Sequence, residues 1–435
     1  MTRAAPSAAS DPRAGERLRI AIVGGGVAGI TAAHLLQRRH DVVLFERNDY
    51  VGGHTHTIAV PDGPDAGTPV DTGFIVLNDR TYPTFHRLLA DLAVGVRPAE
   101  MSFSLHDERR GFFYAGNDFN GLFAQRRNAV RPSFLRMLRD ILRFSRDGLR
   151  TVERGSDAGL PLRDYLAQRA YGPELARDYL VPMSAAIWST SPAEVLDFPA
   201  GSLLRFFKNH GLLSLRDRPQ WQTVVGGSHA YVRAFLARFA GRVHTASPVG
   251  ALRRTPAGVV LRTAGGLELE FDRAVIAAHA DEALALLADP SEEERRLLGA
   301  WRYLENRTVL HADPAVLPPS RRAWASWNFV REAGADDAAP VSVSYWMNLL
   351  QGLEAHQEYC VSLNRLGAVR EERVIARLVY HHPAYTEASL ATQASLPALN
   401  GPRGTYFCGS YFGHGFHEDA VRAGAAVGRA FGLEL

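Results

Sequence analysis

LRIAIVGGGVAGITAAHLLQRRHDVVLFE, residues 18–46, changes its hydrophobic period twice. Residues 18–23 form a short unbroken apolar run, which suits a strand covered on both faces. GGGVAG, residues 24–29, interrupts it; an Ala- and Leu-rich segment to about Arg38 reads as a helix, and residues 42–45 read as a second buried strand ending on Glu46. Strand, glycine turn, helix and strand make a nucleotide-binding βαβ unit. Gly24 permits the tight turn, Gly26 lets a pyrophosphate approach the backbone, and Gly29 lets the helix pack against its strand. The helix N-terminus around Ala28 adds free N–H groups and a positive dipole end. Glu46 stands where a carboxylate accepts both hydroxyls of an adenosine ribose, which disfavours a 2′-phosphate and so NADP. The unit alone does not separate NAD from FAD.

At 435 residues and 46% hydrophobic content, the chain can hold two or three domains with large cores. A formal net charge of +3 is too small to argue for nucleic acid. Lys208 is the only lysine, so the positive charge is almost all arginine, a feature that a GC-rich genome explains. Two cysteines, Cys360 and Cys408, are too few for a disulfide framework or a cysteine metal site, and a reducing cytoplasm fits them. His381, His382 and Pro383 lack partners at ligand spacing, so no zinc site is read. Residues 1–17 lack an apolar core segment and read as a flexible leader rather than a signal peptide. No apolar run is long enough for a membrane-spanning helix.

After Glu46 and Arg47 comes a glycine doublet, Gly52 and Gly53, followed by His54, Thr55 and His56. A doublet there lets the backbone pass close to a ligand lying across the sheet end. From this point the chain resembles the amine-oxidase and phytoene-desaturase-like flavoproteins, whose doublet lies beside FAD. Those proteins usually follow it with Arg, where this chain has His54. The resemblance implies FAD contacts from Arg47, Gly52, Gly53, His54 and Thr55, with Val249 beside the adenine and Ala278 at a further nucleotide contact. His279 follows as a dinucleotide or helix-entry residue, and Asp71 as a loop-orienting or simple turn residue.

Residues 81–220 read as helical and loop-rich. In residues 132–150, Arg136, Arg139, Arg143, Arg146 and Arg150 recur at helical spacing while Leu135, Leu138, Ile141, Leu142 and Leu149 line another face. Such a helix suits an anionic lipid surface or a solvated face over an ordinary core. Residues 182–189 are an apolar stretch for a tunnel wall or the core, and Gly226, Gly227 and Ser228 read as a helix entry capped by the serine. Short strands between 243 and 278 suggest a β-meander feeding one last parallel strand. Residues 301–395 are rich in aromatics, among them Trp301, Trp327 and Tyr345, with alternation over 341–345.

Near the C-terminus, residues 404–410 read as a buried strand and turn, and residues 413–419 lead into a helix from about Ala420. In the flavoproteins that the chain resembles, a similar strand, glycine turn and helix return to the first unit and face the flavin. This implies FAD rather than NAD, with contacts from Gly409, Ser410, Phe416, His417, Asp419 and Ala420. Where those relatives commonly place Asp after the turn glycine, this chain has Ser410.

The implied architecture is α/β: a discontinuous, amine-oxidase-like, Rossmann-type FAD-binding domain from residues 18–80, 221–300 and 396–435, with an inserted α+β substrate domain from residues 81–220 and 301–395. The phrases around Gly52, residues 71–78, 305–310, 345–353 and 409–424 are similar to a bacterial branch of NAD/FAD-binding flavoproteins associated with cyclopropane-fatty-acid synthase-like methyltransferases. That resemblance implies redox chemistry on a lipid or fatty acyl chain, by an FAD-dependent oxidoreductase that is cytoplasmic or peripheral at the inner membrane face. A methyltransferase is the implied partner. Tyr345, His417 and Glu418 are the candidate proton acceptors. Double-bond isomerisation, amine oxidation and a non-catalytic flavoprotein role stand beside this reading. Against amines, no lysine follows Lys208, whereas many amine-oxidase relatives place one near the flavin.

Overall fold

The computed structural model describes residues 11, 13, 15–155, 159–188, 192–214, 218–334 and 342–435. Most of the leader expected over residues 1–17 lies outside the described residues, as do Ser189 and Val341. Its far end is docked: the Asp11 N–H donates to the Ala430 carbonyl, and its buried carboxylate accepts from Arg273 and the Tyr406 hydroxyl.

Arg19–Val23 is the centre of a five-stranded sheet ordered Arg242–His244, Asp41–Phe45, Arg19–Val23, Arg273–Ile276, Thr405–Phe407, with every pairing parallel. Alternate residues of the central strand serve two cores. Ile20 and Ile22 pack with the helices Val27–Leu36 and His417–Ala430; Ala21 and Val23 pack with Leu252, Leu261 and Phe271 of an antiparallel three-stranded layer. That double coverage is why the strand reads as an unbroken apolar run. The antiparallel layer, Val249–Thr255, Gly258–Thr263 and Glu268–Phe271, is the meander that feeds Arg273–Ile276. Residues 243 and 244, read as its first strand, instead join the edge of the parallel sheet.

The second body is a seven-stranded mixed sheet ordered Val374–Ala384, Arg302–His311, Cys360–Leu363, Ser342–Trp346, Trp327–Arg331, Phe103–Asp107, Phe112–Ala115. The helices Pro132–Arg154, Val181–Trp188 and Ala200–Asn209 share a core with this sheet, which holds Phe134, Met137, Phe144, Leu203, Phe207 and Leu363. The strands Phe103–Asp107 and Phe112–Ala115 fall in the stretch read as helical and loop-rich. Each is five residues or fewer, too short for its alternation to stand out against the helices around it.

Candidate active site

The glycine turn is shaped by close backbone packing. Gly24 has φ +106°, and a Cβ there would lie 2.6 Å from the Ala277 carbonyl oxygen. A Cβ on Gly29 would lie 2.0 Å from the Gly24 carbonyl oxygen. Gly26 differs: its Cβ position has no neighbour within 4 Å, and the residue lines a cavity. Space is thus left where a phosphate group needs to approach. Glu46 braces the turn, its Oε2 accepting from the Gly25 N–H at 2.8 Å and its Oε1 from the Asn48 N–H at 2.9 Å. Each oxygen keeps lone-pair capacity for a ligand, and Glu46 also lines the cavity. The Gly52 N–H donates to the Gly25 carbonyl at 2.9 Å, which seats Gly53 against Gly26.

The cavity, about 920 Å³, runs from this cradle into the second body. Its walls include Gly24, Gly26, Ala28, Glu46, Arg47, Gly52, Gly53, His54, Val249, Ala278, Gly409, Ser410, Phe416, His417 and Ala420. Three of the expected contacts stand behind the wall. Gly29 packs helix on strand, Thr55 is buried with its hydroxyl on Tyr231, and Asp419 accepts from the N–H groups of His414 and Phe416. Asp419 therefore fixes the turn before the His417–Ala430 helix, whose N-terminus meets the cavity through Phe416, His417 and Ala420. Arg47 pairs with Glu282 across the cradle.

Of the three expected proton acceptors, Tyr345 and His417 line the cavity and Glu418 does not. Glu418 is absent from the cavity wall; its oxygens accept from the N–H groups of Thr84 and Phe85 at 3.0 and 2.9 Å, capping the helix Pro83–Asp91. His417 stacks on Phe74 at 3.7 Å and its Nε2 meets the Tyr231 hydroxyl at 2.9 Å. Burial pushes this imidazole down to about 3, so it is neutral and a weak base. Tyr345 does line the cavity, edge-on to Trp327 at 4.9 Å, but burial raises its phenol so that it stays protonated.

His382 and Tyr380, also at the wall, were not read from the sequence as site residues. His382 and Tyr380 bracket His54 at ring distances of 5.3 and 5.1 Å. His54 is held neutral by burial and by its histidine neighbours, and its Nε2 has no hydrogen-bond partner among the described residues. His382 is pushed down to about 4 by burial. These residues lie more than 300 positions from His54, beyond the reach of any spacing rule. His279 enters the helix Ala280–Leu286 and also lines the cavity, stacked on Tyr303 at 4.2 Å. Asp71 orients a loop: its carboxylate accepts from the Ser228 N–H and hydroxyl and from the Thr57 hydroxyl. Ser228 consequently makes no side-chain cap of the following helix, contrary to the expectation. Met183 and Ile187 of the apolar stretch line the cavity, while Ala185 is buried behind it.

A parallel sheet with a glycine cradle at its strand ends, opening into a walled second body, is the arrangement of a dinucleotide-binding protein of the flavoprotein type. The family model for flavin containing amine oxidoreductases matches residues 27–320, and the chain belongs to that family. The chain is 25% identical over 332 residues to an L-amino-acid oxidase of Siganus canaliculatus; the match takes in 70% of this chain and 57% of the length of that relative. Among solved structures, a CLA-producing fatty acid isomerase from P. acnes superposes with a TM-score of 0.66 at 16% identity, covering 97% of this chain and 98% of that one. Putrescine oxidase bound to putrescine gives 0.67 at 14% identity, covering 96% and 98%. At such identities these two structures share the fold.

Proposed function

We propose that this chain is an FAD-dependent oxidoreductase that acts on a lipid or fatty acyl chain, dehydrogenating an unsaturated or methylated acyl group. The observation that carries the reading is the sign and polarity of the cavity beyond the cradle. Ile75, Val76, Met101, Phe103, Met183, Ile187, Phe206, Leu212, Trp327, Leu350 and Leu363 line it. Its acidic wall residues among the described residues, Glu46 and Glu282, both stand at the cradle. Of the two arginines on the wall, Arg47 pairs with Glu282, and Arg218 is exposed and donates to the Ser214 carbonyl. An ammonium substrate would meet apolar walls and, among the described residues, no carboxylate beyond the cradle, whereas an acyl chain meets matching surface.

The cradle fits FAD: there is open space at Gly26, an unpartnered Nε2 on His54, and a helix N-terminus at Phe416 and Ala420. Gly24, Gly26, Ala28, Glu46, His54, Val249, Ala278 and Ser410 are the residues we assign to hold it, and bound there FAD supplies the hydride acceptor. The chain's own part is to exclude water, to orient the acyl chain along Tyr345 and Trp327, and to keep the wall neutral through a protonated Tyr345 and an uncharged His417. A methyltransferase of the cyclopropane-synthase kind is the partner we propose to supply methylated chains. Isomerisation is the second reading, supported by the fold neighbour that is a fatty acid isomerase.

The visible spectrum of the anaerobic protein tests this. Unsaturated acyl lipids are expected to bleach the flavin bands and amines to leave them; bleaching by amines alone would refute the proposal. Unbleached flavin with a displaced double bond in the recovered lipid would establish isomerisation.

A further inference from the structure

Among the described residues, seven large apolar side chains stand exposed, and four of them fall in one stretch: Phe119 at 80%, Val130 at 81%, Leu135 at 45% and Leu142 at 55%. Residues 118–155 also carry nine arginines against four acidic residues, a surplus of five positive charges in a chain whose total is +3. The helix Pro132–Arg154 arranges these groups. Phe134, Met137, Phe144 and Gly148 turn inward, while Leu135, Arg139, Leu142, Arg146 and Arg150 follow one another along the outer face at intervals of three or four residues. Arg139 and Arg146 touch Asp140 and Asp147 only at 3.4 Å and remain 70% and 61% exposed. Asp140 is itself buried and accepts from the Gly172 N–H. Phe119 joins the end of this face through Phe123, which packs edge-on against Phe134.

We propose that this face, residues 119–150, docks on an anionic lipid bilayer. Arginine alone would suit any polyanion, but leucine alternating with arginine on one stripe suits an interface. The leucines enter the acyl boundary, and the guanidiniums stay level with the phosphates on their apolar stems. The cavity lies one helix behind: Gly148 packs on Leu204 of the helix Ala200–Asn209, whose Phe206 lines the cavity wall. The proposal does not depend on which substrate the cavity takes.

Co-flotation of the flavin-loaded protein with vesicles of phosphatidylglycerol or of phosphatidylcholine tests it. Binding to the anionic vesicles alone is expected, falling with salt. The pairs Leu135→Ser with Leu142→Ser and Arg139→Glu with Arg146→Glu are each expected to weaken it at least about tenfold. Unchanged flavin absorbance and melting temperature would show that these surface variants are folded. Equal binding to both vesicle types, or variants that bind as the parent does, would overturn the proposal. Loss on the arginine pair alone, with equal binding of a DNA duplex, would make the face a general polyanion surface and overturn it too.

Discussion

His417 shows how far the surroundings decide a side chain's chemistry. A histidine at a helix N-terminus beside a flavin cradle invites the role of base, yet ring stacking on Phe74 and the Tyr231 hydroxyl enclose it, and burial pushes it down to about 3. His54, His311 and His382 are lowered by the same cause. The consequence is a stability that depends on pH. For a group whose folded value lies below its unfolded one, near 6.5, the contribution is complete above about 6.5 and is lost as pH falls toward the folded value, since only the unfolded chain takes up the proton. At pH 5 His417 costs about 2 kcal/mol relative to its contribution at neutral pH. His417→Gln is expected to flatten the fall in unfolding free energy between pH 7 and pH 5 by about that amount, measured by denaturant titration at each pH. An unchanged slope would mean that the imidazole is not held neutral.

Among the elements, the contact between the first and last helices matters most to the cradle. Gly424 of the helix His417–Ala430 sits against Val27–Leu36, and a Cβ there would lie 2.4 Å from the Ala28 carbonyl oxygen and 2.9 Å from the Thr31 Cβ. Neither atom can turn aside, because one is backbone and the other is fixed to a helical Cα. Gly424→Ala is therefore expected to push the helices apart, at a cost of about 1–3 kcal/mol, and to displace Phe416 and Ala420 from the cavity. The flavin-to-protein absorbance ratio after purification should drop, together with the melting temperature; full flavin content would contradict the argument. The buried cysteines take no part: burial pushes the Cys408 thiol up to about 12, and Cys360 higher still.

For the molecule as a whole, the cavity belongs to neither body alone. Its cradle comes from the parallel sheet and its apolar end from the strands and helices of the second body. Filling the far end should therefore change which ligand fits while leaving the cradle intact. Leu350 lines the cavity, and Leu350→Trp is expected to slow flavin reduction by long acyl chains at least about tenfold while sparing short ones. Stopped-flow reduction across a chain-length series measures this, and an equal effect at every length would refute it.

The division between what sequence and structure decide follows from distance along the chain. Residues 18–46 determined by themselves the strand, the glycine turn, the helix and the acid at Glu46, because those features interact within one supersecondary unit and each leaves a local pattern. The amphipathic helix at 132–154 was equally legible, since its periodicity is a property of the segment itself. The roles of Glu418 and His417 were not. These neighbours on a helix N-terminus point about 100° apart. One reaches back more than 330 positions to cap the helix at Thr84 and Phe85; the other faces the cavity. Only the tertiary structure decides which turn faces which partner, and with it the environment of His54 and the neutral wall. Desolvation and charge depend on atoms that the chain brings together from far apart.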